Sequence, residues 1–264
     1  TTYLFAIWKW EQDVASFGKR LLRHYGLQLR RSARVNFFKE PVHFLHIGKN
    51  AGTQIGHIIK QVNASQRAVQ MVKHGHGMTL AFLPEDERYF FSIRDPLARF
   101  KSGFYSRKRM GMPRLYNPWS DHEARLFGVF EHANDLAEAL FSEGSYGQRA
   151  MAGMLTVGHM GNSQVDWFKK GGDIFEIRPP VWIIRQERLD EDVAVLLNRL
   201  GLSVEVSTSR DPKATHANDY TDVPPLSPKA IENLRRWHAP DFEFYRTCEI
   251  WMKDRAAAAG LAAE

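Results

Sequence analysis

The chain has 264 residues, of which 44% are hydrophobic and 25% are charged, and its formal net charge at pH 7 is +6. These proportions are typical of a folded domain, and they exclude a disordered tail, a collagen-like repeat and a coiled coil. The single cysteine, Cys248, excludes an intrachain disulfide and a cysteine-based zinc site. The positive charge favours anionic partners.

The N-terminal part of the chain, residues 1–40, is predicted to form one or two helices that are strongly basic from Lys19 onward. Its apolar start ends within about ten residues, whereas a membrane-spanning helix needs about 20. It also lacks the basic start and the small-residue cleavage site of a signal peptide. We therefore expect no membrane-spanning segment.

Strands and helices alternate along the rest of the chain. Three apolar runs, residues 42–47, 89–93 and 181–184, are typical of short buried strands. Helical spacing or helix-start residues predict helices at the following places: 55–62, from Pro96, 121–141, 145–155, 163–170, 190–202 and from Ser227-Pro228. The polar segment 203–226 predicts a long loop. This alternation predicts an α/β fold with a mainly parallel sheet flanked by helices. We interpret residues 1–264 as a single domain, with a core over 41–252 and a tail over 253–264.

The segment after the first strand reads Gly48-Lys49-Asn50-Ala51-Gly52-Thr53 and has the character of an anion-binding loop. The N–H groups at the start of a helix point outward, and the helix dipole adds roughly half a positive charge there. The P-loop of nucleoside-triphosphate enzymes has a different spacing, with Gly-Lys-Ser/Thr after a first glycine and four spacers, whereas Lys49 directly follows Gly48. The strand 89–93 also ends in Arg94 rather than in an acidic magnesium ligand. The segment therefore predicts a P-loop-like phosphate site that needs no metal.

A second phosphate-binding pattern follows the strand 89–93. Arg94 ends that strand, and Ser102 lies about two turns along the next helix. An arginine can bind a phosphate through two parallel hydrogen bonds, and a hydroxyl can add another. Ligands of open α/β sheets bind outside the carboxyl ends of the strands. We therefore expect both patterns to lie at the same edge of the sheet.

Together these patterns resemble the sulfotransferases that use 3′-phosphoadenosine 5′-phosphosulfate (PAPS). Residues 46–53 resemble that family's loop for the 5′-phosphosulfate, His-(Ile/Val)-Pro-Lys-Thr-(Gly/Ala)-(Gly/Ser)-Thr, with Gly48 and Asn50 as departures. Arg94 and Ser102 resemble the residues with which that family binds the 3′-phosphate. The resemblance covers about residues 42–252. The donor-binding residues that it implies are Gly48, Lys49, Asn50, Ala51, Gly52, Thr53, Arg94 and Ser102, with Thr215 and Asn218 near the adenine.

The segment His74-Gly75-His76-Gly77 resembles the His-Gly-His of the branch that sulfates polysaccharides, notably the uronyl and heparan 2-O-sulfotransferases. The resemblance implies that His76 is the general base and that His74 is its partner in the active site. Imidazole titrates near neutrality, so it can take the proton of a sugar hydroxyl. Lys49 would stabilise the charge that develops on the departing phosphate. His43 and His46 fall within the first strand and are predicted to pack or to orient the loop.

The favoured hypothesis is a PAPS-dependent carbohydrate sulfotransferase, with adenosine 3′,5′-bisphosphate as product and an anionic or neutral glycan, or a polysaccharide, as acceptor. No nucleic-acid partner is expected. Two alternatives stay open: a P-loop-type kinase of a small molecule, and a non-catalytic module that binds polyanions or glycans. The expected compartment is a bacterial cytoplasm, and the alternative is a luminal Golgi domain without its membrane anchor.

The positive charge is concentrated in two places. Residues 19–34 and residues 99–114 each contain six lysines and arginines and no acidic residue. The first cluster is predicted to be a solvated helix face. The second borders Ser102, where a polyanionic acceptor would enter.

Overall fold

Short runs of aromatic and β-branched residues form a sheet of four parallel strands in the order β2-β1-β3-β4. The strands are β1 (Glu40–Leu45), β2 (Val69–Lys73), β3 (Arg88–Ile93) and β4 (Ile183–Arg185). At the centre of the sheet Phe44 of β1 lies between Lys73 of β2 and Phe90 of β3. The expected α/β fold with a parallel sheet is confirmed.

The computed structural model describes residues 40–113, 115–168, 173–209 and 220–258. These residues belong to one compact unit that begins at Glu40. The helices predicted before this point, the basic cluster at 19–34, and both Thr215 and Asn218 lie outside the described residues.

Helices flank the sheet and form a second layer beside it. They are α1 (Gly52–Ser65), α2 (Pro96–Lys108), α3 (Asp121–Phe127), α4 (Ala133–Ala139), α5 (Gly144–Thr156), α6 (Leu189–Arg199), α7 (Pro228–Trp237) and α8 (Ala239–Ala258). Three 3₁₀ turns lie at Leu80–Phe82, Gln164–Trp167 and Gln186–Arg188.

Several helix ends follow from local chemistry. Pro96 opens α2, and the preceding Asp95 carboxylate accepts a hydrogen bond from the N–H of Ala98 at 2.8 Å. Pro228 opens α7 in the same way, with the Ser227 hydroxyl as its cap. Gly201 follows α6 in the left-handed conformation that ends many helices. These three ends agree with the prediction from the sequence.

Three sequence predictions were wrong in detail. The strand β2 was not predicted, because it is an edge strand with only Val69 and Met71 buried. The helix predicted over 121–141 is two helices. The first, α3, ends before Gly128, and the second, α4, begins where the Asp135 carboxylate accepts a hydrogen bond from the N–H of His132 at 2.9 Å. The helix predicted over 163–170 is the short 3₁₀ turn at Gln164–Trp167.

The apolar side chains form two clusters. The first surrounds the sheet and includes Phe44, Phe90 and Phe91, each at most 1% exposed, with residues of α1, α6 and α8. The second lies among α2, α3, α4, α5 and α7 and contains the fully buried Phe104. The sheet therefore has a core of its own, and a helical layer extends it.

The strand order creates a crevice between β1 and β3. The chain passes from β1 to β2 on one side and then to β3 on the other side of β1. In open parallel sheets this point of reversal separates the loops at the carboxyl ends of the two strands, and ligands bind there. The loops after Leu45 and after Ile93 meet at this crevice.

Phe44→Ala is expected to lower the free energy of unfolding by about 3–5 kcal/mol, since it removes a fully buried ring and leaves a cavity. The measurement is urea denaturation. Phe82→Ala is the control because Phe82 is 48% exposed, and we expect a change of about 0.5 kcal/mol or less. Equal losses in the two variants would contradict the central place of Phe44 in the core.

Candidate active site

A cleft of about 610 Å³ lies at the carboxyl ends of β1, β2 and β3. It brings together Lys49 from the loop after β1, His76 from the loop after β2, and Arg94 with Ser102 from β3 and α2. Its size is that of a pocket for a small ligand. The other residues that line it are His46, Ala51, Gly52, Thr53, Gln54, Lys73, Ser106, Arg107, Gly111, Leu115, Asn117, His159 and Gln186.

The backbone of the loop after β1 turns at two residues that are not glycines. Lys49 and Ala51 have φ angles of 71° and 55°, in the left-handed region. Gly52 begins α1, and a Cβ there would lie 1.7 Å from Nε2 of His46, so only glycine lets this ring pack on the loop. The first turn of α1 contains no acidic residue. The start of α1 is thus open to an anion.

A buried hydrogen-bond network joins this loop to the end of β3. The fully buried Asn50 donates from Nδ2 to the carbonyl of Ser92 at 2.8 Å and to Oε1 of Gln164 at 2.6 Å. Gln164 in turn accepts from the N–H of Arg94 at 3.0 Å and donates to the Arg94 carbonyl at 2.8 Å. Asn50 was predicted to bind the donor. Its side chain is used inside the protein, its carbonyl accepts from the Ser92 hydroxyl at 2.6 Å, and neither Asn50 nor Gly48 lines the cleft.

Arg99 supports the same loop through hydrogen bonds from the interior of the protein. Its side chain is 2% exposed, and it donates from Nε to the Gly48 carbonyl at 3.0 Å and from Nη1 to the Asn162 carbonyl at 2.6 Å. The buried Asp241 carboxylate lies 3.5 Å from Nη1 and also accepts from the N–H of Gln164. The charge of Arg99 is therefore balanced inside the protein.

The basic cluster at 99–114 borders the cleft through Arg107, and part of its charge is paired inside the protein. Arg99 is buried, and Arg107 donates from Nη2 to Glu123 at 2.8 Å, with both side chains buried. Lys108 pairs with Glu131 at 2.8 Å. Arg114 lies outside the described residues. Much of this positive charge is therefore used in contacts within the protein.

Two cationic side chains of the cleft, Lys49 and Arg94, are partly desolvated. Burial first, and then the charges of Arg94, Arg109 and Arg99, lower the pKa of Lys49 to about 8. Burial also lowers the pKa of Arg94, whose Nη1 donates to the Lys49 carbonyl at 3.3 Å. Among the described residues that line the cleft, none is an aspartate or a glutamate. Positive charge in a partly dehydrated cleft favours an anionic ligand.

His76 has the geometry of a general base. Its Nδ1 lies 3.0 Å from the carbonyl oxygen of His46. A carbonyl only accepts, so Nδ1 carries the proton and Nε2 keeps its lone pair. Burial lowers the pKa of His76 below 6.5, and the charges of Lys73 and Lys49 act in the same direction. The imidazole is therefore neutral at pH 7, the form that accepts a proton.

The other predicted histidines have different places. His74 does not line the cleft; its Nε2 lies 2.8 Å from Nδ1 of His43, whose Nε2 is 2.7 Å from the Glu87 carboxylate. His46 lines the cleft, with its ring centroid 4.0 Å from that of His76. Burial is the main cause that lowers the pKa of His46 to about 3. His46, rather than His74, contacts the candidate base.

Two residues of the cleft were missed from the sequence. Lys73 ends β2 and donates from Nζ to the carbonyl of Gly52. It was missed because β2 was not predicted. His159 lies between Gly158 and Met160-Gly161. Its glycine-flanked setting is similar to that of residues 74–77, and this is the signal that could have found it.

Comparison with protein-family models, with curated proteins and with solved structures finds no match to this chain. In the part of the chain that the structure describes, no helix is long and apolar enough to cross a membrane. Within the same ranges, no group of three or more His, Cys, Asp or Glu side chains is arranged to hold a metal ion. The functional inference therefore depends on the geometry of the cleft.

Gln164→Leu is expected to lower the free energy of unfolding by about 2–3 kcal/mol, because it leaves buried polar groups of Asn50 and Arg94 without partners. Thermal unfolding measures the loss. The control is Gln148→Leu on the exposed face of α5, for which we expect about 0.5 kcal/mol or less. A Gln164→Leu protein as stable as its control would show that the network does not hold the loops.

Proposed function

We propose that the protein is a sulfotransferase that moves a sulfuryl group from PAPS to a hydroxyl of a carbohydrate. The observation that carries this proposal is the convergence of three groups on one cleft: the loop of Lys49, Arg94 with Ser102, and the neutral His76. The first two suit a donor with two separate anionic groups. The third suits an acceptor hydroxyl that must lose a proton.

The donor-binding half of the proposal divides the two anionic groups of PAPS between two sites. Lys49 and the N–H groups at 51–53 bind the 5′-phosphosulfate, at the open start of α1. Arg94 and the 5% exposed Ser102 bind the 3′-phosphate. The contact between Arg94 and the Lys49 carbonyl supports this division, since it makes the two sites adjacent. The lowered pKa of Lys49 and that of Arg94 support an anionic ligand.

The reaction is an in-line displacement at sulfur. His76 accepts the proton of the acceptor hydroxyl at Nε2 while the acceptor oxygen forms a bond to sulfur. The bond between sulfur and the 5′-phosphate oxygen breaks, and its electron pair stays on that oxygen. Lys49 and the N–H groups at the start of α1 stabilise the charge that develops there. The protein mainly orients the two reactants and offsets charge.

A carbohydrate acceptor is supported by the rim of the cleft. Ser106 and Asn117 offer a hydroxyl and an amide, both of which hydrogen-bond to sugar hydroxyls. Leu115 lines the same rim and is 72% exposed, and the adjacent Tyr116 is 64% exposed. Exposed apolar and aromatic groups beside polar ones suit a ligand with both apolar faces and hydroxyls. Together with His76, this rim favours a sugar hydroxyl as acceptor.

Adenosine 3′,5′-bisphosphate is expected to raise the melting temperature, and ADP is expected to raise it much less, because only the former carries a 3′-phosphate for Arg94. In Arg94→Ala the affinity for the bisphosphate should fall about 10–100-fold, the worth of charge-assisted hydrogen bonds. Thermal shift and calorimetric titration measure both effects. Arg67→Ala is the control, since Arg67 is exposed just before β2, away from the cleft. Equal stabilisation by ADP and the bisphosphate would exclude the proposed donor.

The pH dependence of kcat/KM for sulfuryl transfer is expected to be bell-shaped. His76 must be neutral, and its pKa lies below 6.5, so activity is lost only as the pH falls below that value. Lys49 must be protonated, and its pKa is about 8, so activity declines as the pH rises through about 8. In Lys49→Arg the alkaline limb should move to higher pH, because a guanidinium titrates above about 12. Initial rates with radiolabelled PAPS across the pH range give the profile.

The histidine variants separate the base from its surroundings. In His76→Ala the rate of sulfuryl transfer should fall about 10²–10⁴-fold, and the fall of kcat/KM at low pH should disappear. The affinity for adenosine 3′,5′-bisphosphate should be retained. His57→Ala is the matched control, because His57 is exposed on α1 and does not line the cleft. A near-normal rate in His76→Ala would show that another group is the base. If the alkaline limb of the pH profile does not move in Lys49→Arg, the titration of Lys49 is not the cause of that limb.

A further inference from the structure

The loop between α5 and the 3₁₀ turn at Gln164–Trp167 contributes a histidine to the cleft that the reaction above does not use. His159 lines the cleft with Lys49 and His76. Its ring meets the His76 ring edge to face, with centroids 5.4 Å apart and an interplanar angle of 70°. A Cβ added to Gly48 would lie 2.6 Å from its Nδ1. The imidazole thus lies beside both the anion-binding loop and the candidate base.

The backbone of His159 has an uncommon conformation. Its φ angle is 72°, in the left-handed region that few residues with a side chain adopt. Its neighbours Val157 and Met160 are buried, and its carbonyl packs so closely on α2 that a Cβ at Gly103 would lie 2.9 Å from the oxygen. These contacts hold the loop against α2, and the ring lines the cleft. Backbone conformations of this kind are concentrated at functional sites.

The imidazole of His159 is neutral and open to a ligand. Burial lowers its pKa to about 4, with Lys49 and His76 acting in the same direction. A neutral imidazole has one N–H donor and one acceptor nitrogen. Across the described ranges, the structure shows no hydrogen bond from another residue to either ring nitrogen. A ring N–H group is therefore available in the cleft, next to the Lys49 loop that binds the phosphosulfate in the proposed function.

We propose that His159 is a catalytic residue that donates a hydrogen bond from its ring N–H to an oxygen of the sulfuryl group during transfer. The inference rests on the proposed function and assigns a residue to it. The proton of the acceptor hydroxyl goes to His76, and the electron pair of the broken S–O bond goes to the 5′-phosphate oxygen. His159 transfers no proton. It offsets the negative charge on the sulfuryl oxygens, as fixed hydrogen-bond donors do for other transition states.

The test compares two variants that fit the left-handed backbone. His159→Gly removes the ring without strain, and His159→Asn keeps an N–H donor in a residue that tolerates this conformation. Each is measured for kcat with radiolabelled PAPS and for affinity towards adenosine 3′,5′-bisphosphate, which lacks the sulfuryl group. The acceptor is the desulfated polysaccharide that takes up most label from the wild-type enzyme. His57→Ala serves as the control.

For His159→Gly we expect kcat to fall about 10²-fold, with affinity for the bisphosphate within about twofold of the wild type. The acid limb that belongs to His76 should remain. His159→Asn should recover about tenfold of the lost rate, because it restores a donor. This split between rate and product affinity is not expected if His159 only supports the loop at Gly48.

Two results would overturn the role of His159 alone: an unchanged kcat in His159→Gly, or a parallel loss of kcat and bisphosphate affinity that His159→Asn does not recover. The parallel loss would mark His159 as a support of the loop. If the wild-type protein neither binds the bisphosphate nor transfers label, the proposed function and the role of His159 both fail.

Discussion

A buried hydrogen-bond network beneath the loops after β1 and β3 is the constraint on which the rest of the cleft depends. Asn50 and Gln164 tie the two loops together, and Arg99 with Asp241 supports them from below. Removal of one partner from such a buried pair leaves an uncompensated charge, at a cost of about 3–5 kcal/mol. The network therefore specifies one arrangement of the backbone. The left-handed turns of the Lys49 loop and the open start of α1 are held before any ligand arrives.

The electrostatics of the cleft follow from this scaffold. Burial lowers the pKa of both Lys49 and Arg94, and the charge of Arg94 lowers that of Lys49 as well. In water the two side chains would separate and hydrate. The fold instead keeps both positive charges in the cleft, which favours an anionic ligand. The parallel sheet sets the location, because its strand order places the loops after β1 and β3 at the same crevice. Fold and charge thus favour the same class of ligand.

Three loops supply the histidines that line the cleft, His46, His76 and His159, and their surroundings differ. The His46 carbonyl selects the tautomer of His76, so the lone pair on Nε2 can accept a proton. His74 pairs with His43 beside Glu87 and does not line the cleft, although it is only two residues from His76. Closeness in sequence therefore does not decide the chemistry of these side chains. The contacts that each side chain makes in the fold decide it.

The sequence by itself determined the α/β class, two of the loops that form the cleft, and the helix boundaries at Pro96, Pro228 and Gly201, because these depend on neighbouring residues. It also singled out Lys49, Arg94, Ser102 and His76, which the structure brings to one cleft. Only the tertiary structure decided which polar residues are buried. Asn50 and Gln164 are 114 residues apart, and no local pattern marks them as partners. The same reason explains why the sequence did not show that Arg99 is buried, and why the glycines around His159 do not by themselves place it in the cleft. Both depend on contacts between segments that are distant along the chain.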